Sequence, residues 1–83
     1  MDDDKVDWDK VDEMALALMY LTTFEEHGVF RTWKGYDWGV LNRLHKRGWI
    51  TDPVSKAKSV SLSDEAQRLS KDMFERHFRR EPT

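Results

Sequence analysis

His27, His45 and His77 are the residues of this chain best suited to acid–base or metal chemistry, and their spacing supports neither. A zinc site needs several ligands at close, characteristic intervals, and the chain has no HExxH pattern and no paired cysteines. It has no cysteine at all, which removes thiolate nucleophiles, thiolate ligands and disulfides. No serine sits in a strand-turn-helix elbow, and no glycine-rich loop follows a strand to cradle a phosphate. His77 lies on an apolar stripe and reads as a core-edge residue, while His45 lies near Trp38 at the border of a helix. Asp2, Asp3 and Asp4 read as part of an acidic tail over residues 1–8. The expectation is a protein that is not an enzyme, with no metal, no cofactor and no small-molecule substrate.

The basic residues suggest a different chemistry. Arg43, Lys46 and Arg47 share one face of a helix expected over residues 37–47, with Asn42 beside them. Guanidinium and ammonium groups bind phosphates, and an amide can read a base edge in the major groove. Lys56 and Lys58 fall on the loop that follows, and Arg31 and Lys34 can flank it. Charge is unevenly spread: residues 1–30 hold nine acids and two bases, whereas residues 31–60 hold seven bases and two acids. Against nucleic-acid binding stand the net charge of −2 and the ordinary abundance of Lys and Arg on solvated helix faces.

Protein–protein contact is the second possibility, with a homodimer as its simplest form. The first helix is apolar around most of its circumference. Val11, Met14, Ala15 and Leu18 form one face, and Leu16, Tyr20 and Phe24 help to form another. That second face is either a dimer or partner interface or is covered by the later helices; both remain open. Trp33, Tyr36 and Trp38 resemble a stacking platform for single strands, but aromatics beside a short strand in so small a chain are more often core.

These residues need elements to hold them. Eighty-three residues, 39% hydrophobic and 36% charged, suit one globular domain over residues 1–83. The longest apolar run, Met14–Leu21, is far shorter than the roughly 20 residues of a membrane span. No signal-peptide pattern occurs, so the expected location is the cytoplasm. Periodicity and capping residues place helices over 9–26, 37–47 and 63–78. They place a strand over 29–34 and a hairpin from 49–51 and 58–62. Gly48 should end the middle helix, with Trp49 making the apolar contact beyond it, and Ser63 should cap the last one. The fold class is α+β in the order α-β-α-β-β-α, with a short β-hairpin or a three-stranded sheet. Its core should gather Leu18, Trp38, Leu41, Leu44, Ile50, Val60, Leu62, Leu69 and Met73.

Two resemblances add to this reading. The stretch from Leu41 through Gly48-Trp49-Ile50, a basic loop, and then Val60-Ser61-Leu62-Ser63 is similar to winged-helix domains. It implies a small winged-helix-like fold, with DNA as the partner of the middle helix and wing, although residues 28–36 are too short for the extra helix such domains carry. Across nearly the whole chain, segments such as Trp33-Lys-Gly-Tyr-Asp-Trp38 and Asp52-Pro-Val-Ser-Lys-Ala-Lys-Ser-Val60 resemble a family of small bacterial proteins of unknown function. That resemblance implies a free-standing bacterial chain and no particular activity.

Overall fold

A short polar side chain opens each helix of the computed structural model, which describes residues 5–80. Asp7 accepts from the Lys10 N–H at the start of α1 (Trp8–Thr22). Asp37 accepts from Val40 at the start of α2 (Trp38–Lys46), and Ser63 from Ala66 at the start of α3 (Asp64–Phe78). Each cap satisfies one of the amides that a helix leaves unpaired in its first turn. The acidic tail expected over residues 1–8 lies outside the described residues for positions 1–4, and Asp7 and Trp8 already belong to the helix start.

α1 ends four residues before its expected limit, at Thr22. The Thr22 and Thr23 hydroxyls both donate to the Met19 carbonyl, at 3.3 and 2.7 Å, and Thr23 adopts an extended backbone. Phe24–Glu26 then becomes β1, paired antiparallel with β2 (Val29–Trp33) through the two-residue turn His27-Gly28. Both turn residues have positive φ, 54° and 80°, the conformation whose twist matches a hairpin. Gly28 therefore serves a hairpin rather than stopping a helix. β3 (Ser59–Ser61) lies on the other side of β2, giving a three-stranded antiparallel sheet in the order β1-β2-β3. Residues 5–80 thus form an α+β fold in the order α-β-β-α-β-α, which corrects the expected α-β-α-β-β-α. The expected strand at 49–51 is reduced to one bridge, Ile50 with Leu62, flanked by Thr51 N–H to Ser61 and Ser63 N–H to Trp49.

α2 ends as its sequence requires. Gly48 has φ +76°, its N–H reaches the His45 carbonyl, and the Trp49 N–H reaches Leu44, so two otherwise orphaned carbonyls are satisfied. No atom lies within 4 Å of a β-carbon built there. Gly48→Ala is therefore expected to cost about 1–2 kcal/mol through backbone strain alone. Chemical denaturation should detect that loss, whereas Gly35→Ala, with open space and no positive φ, should leave stability within about 0.5 kcal/mol.

The core gathers Leu16 and Met19 of α1, Leu41 and Leu44 of α2, and Val60 of β3, all fully buried, with Trp49, Ile50, Leu62 and Ala66 around them. Leu69 packs on this cluster from partial burial, and Met73 is half-buried. Two expected core residues are corrected: Leu18 is 42% exposed and Trp38 58% exposed. Trp38 stands roughly a third of a turn away from the buried Val40–Leu41–Leu44 face. Leu18 belongs to the side of α1 that faces away from the core.

Candidate functional site

The buried residues of α1 are Asp12, Ala15, Leu16, Ala17 and Met19, of which all but Ala17 share one stripe. Those four are helical neighbours at i, i+3, i+4 and i+7. α1 rests on α3 and on β2, and Tyr20 stacks on Phe74 with ring centroids 5.1 Å apart. Of the interface expected at Leu16, Tyr20 and Phe24, the structure corrects Leu16. Leu16 has no exposed surface, Tyr20 is half-covered by α3, and Phe24 is half-buried against Trp33 at 4.9 Å on the sheet.

The apolar surface left open on α1 is the other one. Val11, Met14, Leu18 and Leu21 follow one another at intervals of three, four and three residues, which places them in one line along the helix. Leu18 and Leu21 are 42% and 65% exposed, and Val11 and Met14 are half-buried. Beside them runs an open groove lined by Met14, Ala15, Leu18, Tyr36 and Val40, with Asp7, Lys10 and Asp37 at its rim. Burial raises the pKa of the Tyr36 hydroxyl.

The basic residues separate into two sets. On α2, Arg43 lays its guanidinium against Asp12, Nε to Oδ2 at 2.7 Å and Nη2 to Oδ1 at 2.9 Å, and it also covers the Trp8 ring at 4.8 Å. The hydrogen bond that Arg43 donates to Asp12 raises the Arg43 pKa further. Arg47 bonds Asp9 and lies over the Trp49 ring. Both arginines therefore face carboxylates of α1, and their charge is matched within the fold. Asn42 and Lys46 remain exposed.

The second set meets carbonyls and hydroxyls only. On the solvent side of the sheet, Arg31 donates to the Ser59 and Ser61 hydroxyls, both at 2.7 Å, and to the Ser59 carbonyl at 2.9 Å. Lys34 Nζ donates to the Ser55 carbonyl and hydroxyl. The Lys34 N–H bonds the Lys58 carbonyl, and Lys56 and Lys58 are exposed. Neutral acceptors orient these side chains and leave the charge of Arg31 and Lys34 unmatched.

Among the described residues, no group of three His, Asp or Glu could hold a metal ion, and no helix is long and apolar enough to cross a membrane. Asp12 is the residue that pattern reading passed over. Its signal was present: a carboxylate at the i position of an otherwise apolar i, i+3, i+4, i+7 set must be paired when buried.

The model of the DUF6429 family, a domain of unknown function, matches residues 7–80, which is nearly every residue of the fold described above. The chain belongs to DUF6429. Its relatives include an uncharacterised protein, y4hR, of Sinorhizobium fredii, 47% identical over 76 residues that make up 92% of this chain and 99% of that one. The matched stretch of DUF6429 takes in Asp7, which caps α1, and runs through α3. No solved structure matches the chain.

Proposed function

We propose that this DUF6429 protein is a non-enzymatic, cytoplasmic interaction module that pairs with a second copy of itself through the outer face of α1. The observation that carries the proposal is the line Val11, Met14, Leu18 and Leu21, in which Leu18 and Leu21 stand exposed and Val11 and Met14 are half-buried. A chain this small gains nothing for its own stability from Leu21 at 65% exposure, and contiguous apolar surface of this kind marks interfaces. The 3-4-3 spacing reads the same in both directions. An antiparallel two-fold pairing therefore sets Leu18 against the partner's Met14, and Leu21 against the partner's Val11.

A 15-residue helix is about 22 Å long, so such a contact is small and the dimer weak. Mass measured by light scattering should rise from monomer towards dimer with concentration, and Leu18→Asp should hold it at the monomer with an unchanged helical spectrum. A parent that stays monomeric up to millimolar concentration, or a Leu18→Asp variant that still dimerises, would count against the pairing.

The winged-helix likeness supports a weaker reading, with α2 approaching duplex DNA. That likeness is one of sequence, from Leu41 through Gly48 and Ile50 to Ser63, and β1 and β2 stand where an extra helix would be needed. Because Arg43 and Arg47 already meet Asp12 and Asp9, α2 offers DNA only Asn42 and Lys46. The pairing reading is preferred on that ground.

A further inference from the structure

The outer face of the sheet carries a second surface. From the strand register, Phe24, Val29, Arg31, Trp33, Ser59 and Ser61 all point away from the core. Phe30 and Thr32 point inward, and Thr32 is fully buried. No helix covers the outer side near Trp33, which is 52% exposed although it is one of the largest apolar side chains in the chain. Phe24 braces the Trp33 ring from the neighbouring strand at 4.9 Å. The serines fix Arg31 beside it through three hydrogen bonds. Lys34 follows Trp33 directly, and Lys58 meets it through the backbone. Glu26, opposite Val29 on the same outer face, is exposed at the turn, so the face is cationic towards Trp33 and anionic at the turn.

We infer that this face binds single-stranded nucleic acid, one base stacking on Trp33 and a flanking phosphate meeting Arg31, with Lys34 and Lys58, just beyond the ends of β2 and β3, supplying charge at its edge. The ligand class follows from the chemistry. A braced, half-exposed indole offers a π-face that every base can use, and stacking needs no particular sequence. Cations held by neutral oxygens keep their full attraction for phosphate, in contrast to Arg43 and Arg47. Duplex DNA buries its base faces and cannot use the indole. Surrounding polar groups pre-orient Arg31, so little of its freedom remains to be lost on binding. The paired surface of α1 lies on another element, so the two activities are separable.

The test is fluorescence anisotropy of a labelled twelve-nucleotide oligothymidine and of a duplex of equal length, titrated with the full chain at 50 and 200 mM salt. The single strand should bind and the duplex bind more weakly. With these three cations neutralising phosphate charge, binding should weaken roughly twentyfold across that salt range. Trp33→Ala should reduce affinity about tenfold or more, and the exposed Lys58→Glu should reduce it independently. Helical spectra must match the parent in both variants. The inference is overturned if no single strand binds at 50 mM salt, or if Trp33→Ala binds like the parent. It is equally overturned if the duplex is preferred and Lys46→Glu, rather than Lys58→Glu, abolishes binding. A Trp33→Ala variant that changes only the mass of the protein would assign the face to protein contact instead.

Discussion

Arg43→Ala is expected to destabilise the fold by about 3–5 kcal/mol. Asp12 has no exposed surface, and both of its carboxylate oxygens accept from the Arg43 guanidinium. Removing the arginine leaves a charge in the interior with no partner, and that penalty outweighs the modest stabilisation an intact buried pair provides. The same truncation uncovers the Trp8 ring. A chain of this length is stable by on the order of 4–12 kcal/mol, so the variant should lose a large share of its stability. Urea unfolding followed by circular dichroism measures the loss. Combining Asp12→Val with Arg43→Met removes both charges and should recover most of it. If Arg43→Ala lost less than about 1 kcal/mol, the pair would have to be solvated, contrary to the burial of Asp12.

Leu16→Asp and Leu21→Asp are expected to behave as opposites. Both lie on α1, five residues apart and equally apolar in sequence. Leu16 is fully buried between α1, α2 and the sheet, whereas Leu21 is 65% exposed. Placing a carboxylate at position 16 puts an unpaired charge beside Met19 and Leu41, a change of the class that costs more than about 4 kcal/mol. The chain should fail to fold. At position 21 the carboxylate meets water, and stability should stay within about 0.5 kcal/mol of the parent. Thermal unfolding separates the two directly. A folded Leu16→Asp protein would mean that α1 is rotated relative to the arrangement described here.

Much of this fold is legible in local sequence because local chemistry determines it. Asp37 and Ser63 cap helices, Gly48 ends one with Trp49 beyond it, and Leu41, Leu44, Val60 and Leu62 alternate or repeat as a buried face must. The β1–β2 hairpin was not legible, because Phe24-Glu25-Glu26 continues a helical pattern as readily as it starts a strand. What decides there is a pair of β-branched threonines bonding back to Met19, and a His-Gly turn with positive φ. The rotation of α1 was not legible either. Periodicity finds faces, and on this helix both faces are apolar. For the same reason Leu16 was expected on an open face, whereas the fold buries it and exposes Leu18 and Leu21. Charge partners were also hidden, since Asp12 and Arg43 are separated by 31 positions and only the folded chain brings them together. The exposure of Trp33 was not legible, because it is decided by β2 turning that side chain outward.

The Asp12–Arg43 pair also acts as a selector. A helix that is oily on two sides has two nearly equivalent ways to lie on a sheet, and burying either face removes a similar amount of apolar surface from water. Packing alone would leave such a chain free to sample both, as a mixture. One carboxylate on one of the two faces makes the choices unequal, because only one rotation delivers it to a guanidinium waiting on α2. Whichever side that charge draws inward, the other becomes the side the protein shows to its surroundings.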